Sequence, residues 1–466
     1  MEAINKGVYA FMNKSAIILA AGKGTRMVSD KPKTLHRVAG RAMVLHVLDA
    51  VKQAGASKTV TVIGYGKEKM EEALKGQCEL AVQEPQLGTA HAVMCAKQCE
   101  NDEGITLICY GDCPCITTET YRMMYEQIND CDAVVLTAIV KDPAHLGRIV
   151  RNRSGNIEKI VEYKDCSKEQ REINEINTGI YAFKTELLFK YIKEVKDYNA
   201  QREYYLTDLV EIFNQHGLKV KAVSLVDTEE MIGVNDRVDL ARANNFLNRK
   251  ICEKWMRKGV TIIDPTSTYI GYDVRIGEDC TLYPNSYLTG KTTIGDHTTV
   301  MMNCYLENAI IGSNTTLDNA RIIDSQVKDN CKIGPFVHLR MQTVVENDNR
   351  IGNFVEFKNT HFGVDSRCAH LTYLGDSTIG NKVNIGCGVV TVNYDGKNKF
   401  HTQVDDGAFI GSNVNLIAPV HVGKKAVCAA GSTINCDVND GEMAIARSRQ
   451  ENKPEKGVLY LSKEKK

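Results

Sequence analysis

The sequence predicts an α/β domain followed, through a connecting helix, by an all-β domain. The α/β part should be Rossmann-like with a mainly parallel sheet, and the all-β part should be a left-handed parallel β-helix of hexapeptide repeats. Three observations lead to this prediction. The chain has 466 residues, enough for two or three buried cores. Strand-like and helix-like segments alternate from residue 16 to about 235, and aliphatic residues recur at every sixth position beyond about residue 260.

These patterns divide the chain into five expected segments. We expect a loosely held amino-terminal extension at 1–14, the α/β domain at 15–237 and a linker helix at 238–259. The β-helix should occupy 260–450, and a charged tail at 451–466 should be mobile. The linker is predicted from one apolar stripe, which consists of Leu240, Ala243, Leu247, Ile251 and Trp255.

The amino-acid composition indicates which classes of binding partner to expect. Lys plus Arg and Asp plus Glu both number 58, so bulk charge favours neither nucleic acid nor anionic lipid, and we expect no partner of either kind. The sequence shows no apolar run of membrane-spanning length and no signal-peptide pattern, which predicts a cytoplasmic protein that acts on small molecules. The sixteen cysteines are scattered, which favours reduced, buried thiols over a disulfide framework.

Six strands are predicted in the α/β part from apolar runs separated by helix patterns. Strands that alternate with helices favour a mainly parallel sheet, and such sheets bind ligands at the carboxyl ends of their strands. The predicted strands are 16–20, 59–63, 105–110, 133–140, 179–183 and 219–225.

A glycine loop follows the first of these strands. Small residues from Ala20 to Gly24 let backbone N–H groups approach an anion, and Lys23, Arg26 and Lys33 add positive charge around it. The loop lacks the Gly-Lys-Ser/Thr ending of a P-loop, and Arg26 stands where a dinucleotide motif needs its third glycine. The pattern indicates nucleotide phosphate binding, with a solvated basic loop as the simpler alternative.

Polar residues follow several other predicted strands. Asp112 comes directly after the strand that ends at Tyr110, and with Asn235 it offers the hard oxygen ligands that Mg²⁺ prefers, although Asp112 alone could be an ordinary turn residue. The loop from Gln83 to Thr89 carries amides suited to a base. Further polar groups beside strands, suited to sugar hydroxyls, are Gly147, Glu162 and Asn177.

In order and spacing, these pieces resemble the uridyltransferase half of the bifunctional UDP-N-acetylglucosamine synthases of bacteria. The resemblance implies that Arg26 and Lys33 stabilise phosphate charge and that Asp112 and Asn235 ligate Mg²⁺, with UTP as a substrate. It implies that the UTP and UDP-sugar site comprises Leu19, Ala20, Ala21, Gly22, Lys33, Gln83, Gly88, Thr89, Tyr110, Gly147, Glu162, Asn177 and Asn235. Within it, Gln83, Gly88 and Thr89 would hold the uracil, and Gly147, Glu162 and Asn177 would hold the N-acetylglucosamine.

The second half of the chain has a period of six, which neither a helix nor a flat strand has. In a hexapeptide β-helix, each coil turns one aliphatic residue per face inward. The series slips after Leu306, Ile323 and Phe357, and breaks between Gly386 and Ile410, where Asn393–Gly396 should form a projecting loop. The periodic positions are Ile270, Ile276, Leu282, Leu288, Ile294, Val300, Leu306, Val327, Ile333, Leu339, Val345, Ile351, Phe357, Ile410, Leu416, Val422, Cys428 and Ile434.

Chemistry on this coil is predicted around His370. A neutral imidazole can take a proton from an amine that attacks a thioester, although a lone histidine is often structural. Arg340 and Lys358 are one coil apart and should stack as a phosphate clamp, and Tyr373 and Asn384 suit a sugar.

These residues resemble the acetyltransferase half of the same enzymes. The resemblance implies that His370 is the general base, that Arg340, Lys358, Tyr373 and Asn384 bind glucosamine-1-phosphate, and that the chain forms a homotrimer through its β-helix. Two departures stand out: Met341-Gln342 replaces the usual Pro-Gly, and Cys387 replaces an alanine near the coenzyme. The implied acetyl-CoA site comprises Cys387, Asn393, Tyr394, Lys399, Ser412, Ala430 and Arg447.

The resemblance therefore implies two activities, acetyl transfer to glucosamine-1-phosphate and then uridylyl transfer to N-acetylglucosamine-1-phosphate. The first alternative is a single-activity sugar-1-phosphate nucleotidyltransferase whose β-helix is structural or regulatory. The second is a non-catalytic trimeric scaffold that binds a nucleotide. His370 together with Arg340 and Lys358 argues against the first alternative.

Overall fold

The structure is a computed structural model that describes residues 13–462. The chain divides into two compact units, Met1–Asn248 and Arg249–Lys466, which we call the α/β unit and the β-helix unit. Most of the expected amino-terminal extension and the last four residues of the expected tail lie outside the described residues. None of the helices within 13–462 combines the length and the apolar character needed to cross a membrane.

The described part of the α/β unit contains one nine-stranded sheet and a two-residue hairpin at Arg37–Val38 and Arg41–Ala42. The main strands run in the order β9-β5-β8-β4-β1-β2-β3, and β6 pairs with β7 and β8. In chain order they are β1 Lys14–Leu19, β2 Lys58–Ile63, β3 Glu79–Val82, β4 Ile105–Tyr110, β5 Ala133–Ile139, β6 Arg148–Arg151, β7 Ile157–Val161, β8 Glu175–Lys184 and β9 Val220–Ser224.

Each predicted strand has a counterpart in the sheet. β1, β2, β3 and β4 are parallel, and so are β5 and β9, whereas β8 is antiparallel to both β4 and β5. Strands β3, β6 and β7 were not predicted, since they are short and only partly buried. The Rossmann-like α/β class is confirmed, with β8 and the β6–β7 hairpin as its antiparallel part.

The helices of the α/β unit cover both faces of this sheet. Alternate residues of β1 join different cores: Ala16 and Ile18 pack on one face, Ile17 and Leu19 on the other. The described α-helices of the chain are α1 Met43–Gln53, α2 Lys67–Leu74, α3 Thr89–Cys95, α4 Thr118–Gln127, α5 Lys168–Arg171, α6 Thr185–Tyr191, α7 Asp208–Gln215, α8 Arg237–Met256 and α9 Lys456–Leu461.

The predicted linker helix corresponds to α8, which is one residue longer at its start and three shorter at its end. The boundary between the two units falls inside it, at Asn248 and Arg249. Its Ala243 packs in a small core with Met27, and its Trp255 packs in the core of the β-helix unit. The expected domain limits stay predictions.

The β-helix unit is one sheet of 26 described strands wound into parallel coils with three faces. The long strands Arg350–Phe362 and Arg367–Ile379 each run over all three faces. The first face otherwise holds Thr261–Ile262, Thr281–Leu282, Thr299–Val300, Thr316–Leu317, Lys332–Ile333, Asn384–Ile385, Phe409–Ile410, Val427–Cys428 and Met443–Ala444. The second holds Tyr269–Ile270, Tyr287–Thr289, Tyr305–Glu307, Ala320–Ile323, Val337–Arg340, Val390–Val392, Asn415–Ile417 and Thr433–Ile434, and the third holds Arg275–Ile276, Thr293–Ile294, Ile310–Ile311, Gln326–Val327, Val344–Val345, Thr402–Val404 and Val420–Val422.

The interior of the coil is the predicted aliphatic series. Every periodic position from Ile270 to Ile434 is buried, which confirms the hexapeptide pattern and the β-helix class. The slips have a structural counterpart in coils shortened by one or two residues, because Ile294 pairs with Ile311 and Ile311 with Val327. All sixteen cysteines are free, and twelve of them are buried.

Candidate active sites

The α/β unit has a cavity of about 370 Å³ at the carboxyl ends of β1 and β4. The glycine loop, the segment from Gln83 to Thr89 and the residues after β4 all contribute to it. Its lining consists of Leu19, Ala20, Ala21, Gly22, Lys33, Thr34, Gln83, Gln86, Gly88, Thr89, Ala92, Tyr110, Asp112 and Glu203.

A charged cluster lies at one side of this cavity. The ammonium group of Lys33 pairs with Asp112 Oδ2 and donates to Asn235 Oδ1 at 3.3 Å. Arg26 Nη2 donates to the same Asn235 oxygen at 3.0 Å. Three segments far apart in the sequence therefore meet at one point, where two oxygen ligands face two cations. Both Lys33 and Asp112 keep less than a fifth of their side chains exposed.

The glycine loop is shaped around Lys33. Gly24 has φ +64°, and a Cβ on it would lie 2.6 Å from Lys33 Cβ, so a side chain there would push Lys33 away. Met27, 1% exposed, anchors the end of the loop in the small core that includes Val234 and Ala243. The Val234 N–H donates to the Asp112 carbonyl at 2.9 Å, which places Asn235 beside the carboxylate.

Gly147, Glu162 and Asn177 form a second group. A Cβ on Gly147 would lie 3.4 Å from Glu162 Oε2, and the Asn177 N–H donates to the Gly147 carbonyl at 2.9 Å. Burial raises the pKa of Glu162. Tyr110 lies against Gly179, where a Cβ would be only 2.3 Å from its ring. Burial raises the pKa of Tyr110, and the Glu162 and Asp112 carboxylates raise it further.

In the β-helix unit, the predicted clamp forms one row. Arg340 and Lys358 are register neighbours on the second face, which confirms their predicted stacking. Each has a carboxylate partner: Arg340 Nε donates to Glu356 Oε1 at 2.8 Å, and Lys358 Nζ lies 3.1 Å from Asp376 Oδ2. Burial works against the charge on Lys358, but its hydrogen bond and ion pair with the Asp376 carboxylate outweigh burial, so the pKa of Lys358 is raised.

Tyr373 extends over the next position of this row. A Cβ on Gly375 would lie 2.4 Å from the Tyr373 hydroxyl, and Gly375 is the register neighbour of Lys358. The absence of a side chain at Gly375 thus leaves room for the phenol. Asn384 lies on the first face, where it pairs with Arg367, so Asn384 and Tyr373 lie on either side of the edge that carries His370.

That edge of the coil carries most of the predicted coenzyme residues. His370 is exposed on it. The next coils place Cys387, Ser412 and Ala430 along the same edge, since Gly388 N donates to Leu371 O, Asn413 N to Cys387 O and Gly431 N to Ser412 O, at 2.7 to 3.0 Å. Arg447 follows, with its Cδ 3.9 Å from a Cβ on Gly431.

Comparison with known proteins agrees with both halves. Residues 16–171 match the family described as MobA-like NTP transferase domain. "Bifunctional protein GlmU" of Geobacillus sp. (strain WCH70) is 49% identical over 445 residues, which cover 95% of this chain and 97% of the relative. The proteins of that name from Exiguobacterium sibiricum and Clostridioides difficile (strain 630) are 49% and 47% identical, over 95% and 94% of this chain and 100% and 96% of their own lengths.

This chain belongs to the GlmU family. The family expected from the resemblance is confirmed, and with it the bifunctional enzyme that joins an acetyltransferase to a uridyltransferase in the synthesis of UDP-N-acetylglucosamine. Similarity to GlmU proteins extends over both the α/β part and the β-helix, so the single-activity alternative is not favoured.

Four residues that line the cavity are not among the predicted site residues: Thr34, Gln86, Ala92 and Glu203. Gln86 belongs to the predicted amide loop, and its side chain donates to the Ala21 carbonyl at 2.7 Å, which ties that loop to the glycine loop. Glu203 reaches the cavity from a segment without any motif. Gln83 itself is 5% exposed and donates to the Gly88 carbonyl at 2.8 Å, so it shapes the loop from within.

The projecting loop differs in part from the expectation. Residues 394–399 are exposed and closed by a bridge between Tyr394 and Lys399, as a projecting loop requires. Asn393 is 7% exposed, however, and its side-chain amide donates to Asp376 Oδ2. Lys399, a predicted coenzyme residue, contacts Lys358 of the clamp, and this neighbouring positive charge lowers the pKa of Lys399.

Both departures from the GlmU pattern have a structural description. Met341 and Gln342 adopt left-handed conformations, with φ 56° and 62°, a region that glycine occupies at lower cost. Arg340 still reaches Glu356, so the loop change leaves the clamp row intact. Cys387 is exposed on the His370 edge.

Proposed function

We propose that the cavity of the α/β unit is the uridyltransferase site and that the His370 edge of the β-helix is the acetyltransferase site. The observation that carries the first assignment is the convergence of Lys33, Asp112 and Asn235 beside a cavity formed by a glycine loop. The second rests on the row of Arg340 and Lys358 next to an exposed imidazole.

Uridylyl transfer needs alignment and charge neutralisation rather than a covalent nucleophile. A phosphate oxygen of N-acetylglucosamine-1-phosphate attacks the α-phosphorus of UTP, and the bond from that phosphorus to the β-phosphate oxygen breaks, which releases pyrophosphate. Lys33 and Arg26 offset the charge that builds up on the phosphates. The segment from Gln83 to Thr89 would hold the uracil, and Gly147, Glu162 and Asn177 would hold the sugar.

Asp112 and Asn235 fit Mg²⁺. Their carboxylate and amide oxygens converge on one ammonium group, and hard oxygen ligands of this kind are what Mg²⁺ prefers. Two protein ligands suffice when phosphate oxygens supply others. The ion, when bound, supplies positive charge to the triphosphate.

Acetyl transfer requires a neutral amine. The amine nitrogen of glucosamine-1-phosphate attacks the thioester carbonyl of acetyl-CoA, His370 accepts the amine proton, and the carbon–sulfur bond breaks to release the coenzyme thiol. Arg340 and Lys358 bind the sugar phosphate, with Tyr373 and Asn384 at the sugar. Cys387, Tyr394, Ser412, Ala430 and Arg447 would line the coenzyme along the edge, while Asn393 and Lys399 join that site to the clamp.

We also propose a cytoplasmic homotrimer. The aromatic side chains of Phe336 and Phe354, more than half exposed, stack on the edge that leads to His370, which suits burial against another copy. Light scattering should then report three times the 51.7 kDa of one chain. A monomer in dilute solution would contradict the trimer but would not affect the assignment of the two activities.

The proposed function is tested by measuring both products, pyrophosphate and the coenzyme thiol. Wild-type enzyme should release pyrophosphate from UTP and N-acetylglucosamine-1-phosphate, and coenzyme thiol from acetyl-CoA and glucosamine-1-phosphate. Asp112→Ala should lower the first rate by about a thousandfold and spare the second. Asp102→Ala is the matched control, because Asp102 also pairs with a lysine, Lys58, but outside the cavity. Wild-type enzyme that lacks either activity would refute the corresponding assignment.

A further inference from the structure

Arg148, at the start of β6, is a buried cation of the α/β unit. It is 2% exposed. Each hydrogen bond that its guanidinium donates within the described residues ends on a backbone carbonyl oxygen: Pro143 at 3.3 Å, Ala144 at 3.1 Å, Leu146, and Arg171 at 3.4 Å from both Nε and Nη2. A buried guanidinium held in this way fixes the backbone around it, because a buried charge that loses its hydrogen-bond acceptors is costly.

The carbonyl groups belong to the two segments that flank the predicted sugar site. Pro143, Ala144 and Leu146 form the turn that ends at Gly147, and Ala144 holds a left-handed φ of 42° there. Arg171 ends α5, which follows the segment after Glu162. The Arg148 guanidinium therefore links the turn before Gly147 to helix α5, which follows Glu162.

The ring of Tyr163 completes the connection. The Arg148 guanidinium carbon lies 5.6 Å from its centroid, the Arg171 guanidinium carbon 5.0 Å, and the His145 ring meets it edge-on at 4.6 Å. Cation–π contacts of this kind are attractive and orient both partners. Arg148 directly follows Gly147, and Tyr163 directly follows Glu162.

We propose that Arg148 and Tyr163 are positioning residues that set the spacing between Gly147 and Glu162, and through it the affinity for the N-acetylated hexosamine 1-phosphate. The inference rests on the proposed sugar site. Two observations on spacing support it: a Cβ on Gly147 would come within 3.4 Å of the Glu162 carboxylate, and the Gly147 carbonyl accepts from Asn177. A shift of the Gly147 turn would therefore displace the whole group.

The same geometry predicts which substrate is affected. The lining of the 370 Å³ cavity does not include Arg148, Tyr163, Gly147 or Glu162, whereas it includes the glycine loop. Loss of the guanidinium should then change the Michaelis constant for the sugar phosphate and leave that for UTP almost unchanged. A merely structural role would change both, or neither.

The experiment measures steady-state pyrophosphate release with each substrate varied in turn. Arg148→Met should raise KM for N-acetylglucosamine-1-phosphate by about tenfold or more and keep KM for UTP within about twofold. Arg148→Lys should recover part of the loss, since an ammonium group still donates to some of the carbonyls. Arg151→Met is the matched control: Arg151 lies on the same strand but is exposed and pairs with Glu175, so its loss should leave both constants unchanged.

Tyr163 supplies an independent variant in case Arg148→Met does not fold. Tyr163→Phe keeps the ring and should resemble wild type, whereas Tyr163→Leu should raise KM for the sugar phosphate alone. Binding of UDP-N-acetylglucosamine and of UTP, measured by calorimetry, should show the same split without turnover. Equal changes for both ligands in Tyr163→Leu, or no change for the sugar ligand, would overturn the proposal. Failure of wild-type enzyme to release pyrophosphate would instead refute the proposed function.

Discussion

The two units bring charged groups together by different means. In the α/β unit, Lys33, Asp112 and Asn235 come from three separate segments and meet only because of strand order and the Val234–Asp112 hydrogen bond. In the β-helix unit, Arg340 and Lys358 meet because each coil repeats the one before it. In a solenoid, spacing in the sequence therefore predicts which residues of a site are neighbours. In a layered α/β fold, this prediction also requires the order of the strands.

Removal of one cation from the row of Arg340 and Lys358 should have the largest effect. Lys358→Met should lower kcat/KM for glucosamine-1-phosphate by about a hundredfold, because it removes a buried phosphate ligand and leaves the Asp376 carboxylate without its cationic partner. Lys382→Met, an exposed lysine at a coil corner, is the control. Coenzyme release is the measurement, and an unchanged constant in Lys358→Met would show that the row does not bind the phosphate.

A thiol reagent should inhibit the activity of one unit and spare that of the other. Cys387 and Cys436 are the exposed cysteines of the chain, and Cys387 lies on the His370 edge. Alkylation should lower acetyl transfer by about tenfold or more and leave pyrophosphate release intact, because a modified Cys387 obstructs the coenzyme. The Cys387→Ala variant should resist inhibition, whereas Cys436→Ala should remain sensitive. Equal sensitivity of both variants would argue against a coenzyme path over Cys387.

Stability of the α/β unit should depend on pH through Asp208. Burial raises the pKa of Asp208 from 3.8 to about 6, with Glu211 and Glu162 adding to the shift. Because the folded state then binds the proton more tightly than the unfolded state, this group lowers stability as pH rises from about 4 to 6 and costs a constant amount above that range. Asp208→Asn should therefore stabilise the unit by about 1 kcal/mol at pH 7.5, a value reduced for partial exposure.

Thermal unfolding at several pH values checks this sign. The gain from Asp208→Asn should disappear near pH 4, where wild-type Asp208 is protonated as well. Glu100→Gln is the control: Lys193 lowers the pKa of the Glu100 carboxyl, so its removal should not give a gain in stability that appears as pH rises. A gain at pH 4 that equals the gain at pH 7.5 would contradict the assignment of the effect to Asp208 titration.

The smallest expected effect concerns the departure at Gln342. Glycine occupies the left-handed conformation at lower cost than glutamine, and this gain should exceed the cost of the greater freedom that glycine has in the unfolded chain. Gln342→Gly should therefore stabilise the β-helix unit by about 0.5 kcal/mol. Asn314→Gly is the control, since asparagine already tolerates its φ of 55°. Unfolding in denaturant measures both. A loss of stability in Gln342→Gly would indicate a contact of that side chain that offsets its strain.

The same contrast explains what the sequence could and could not predict. The interior of the β-helix, from Ile270 to Ile434, follows from period alone, and so does the row of Arg340 and Lys358. The short strand Glu79–Val82 has one buried residue, Ala81, and no long apolar run, so its pattern is too weak to predict a strand. Contacts between distant segments, such as Glu203 at the cavity or Lys399 beside Lys358, have no signature in local pattern.

One paired assay tests whether this chain contains two independent sites. Both half-reactions are measured on wild type, Lys33→Ala and His370→Ala. Pyrophosphate release should fall by about a hundredfold or more in Lys33→Ala while coenzyme release is kept, and His370→Ala should show the reverse. A loss of both activities in either folded variant, or full acetyl transfer in His370→Ala, would contradict this prediction.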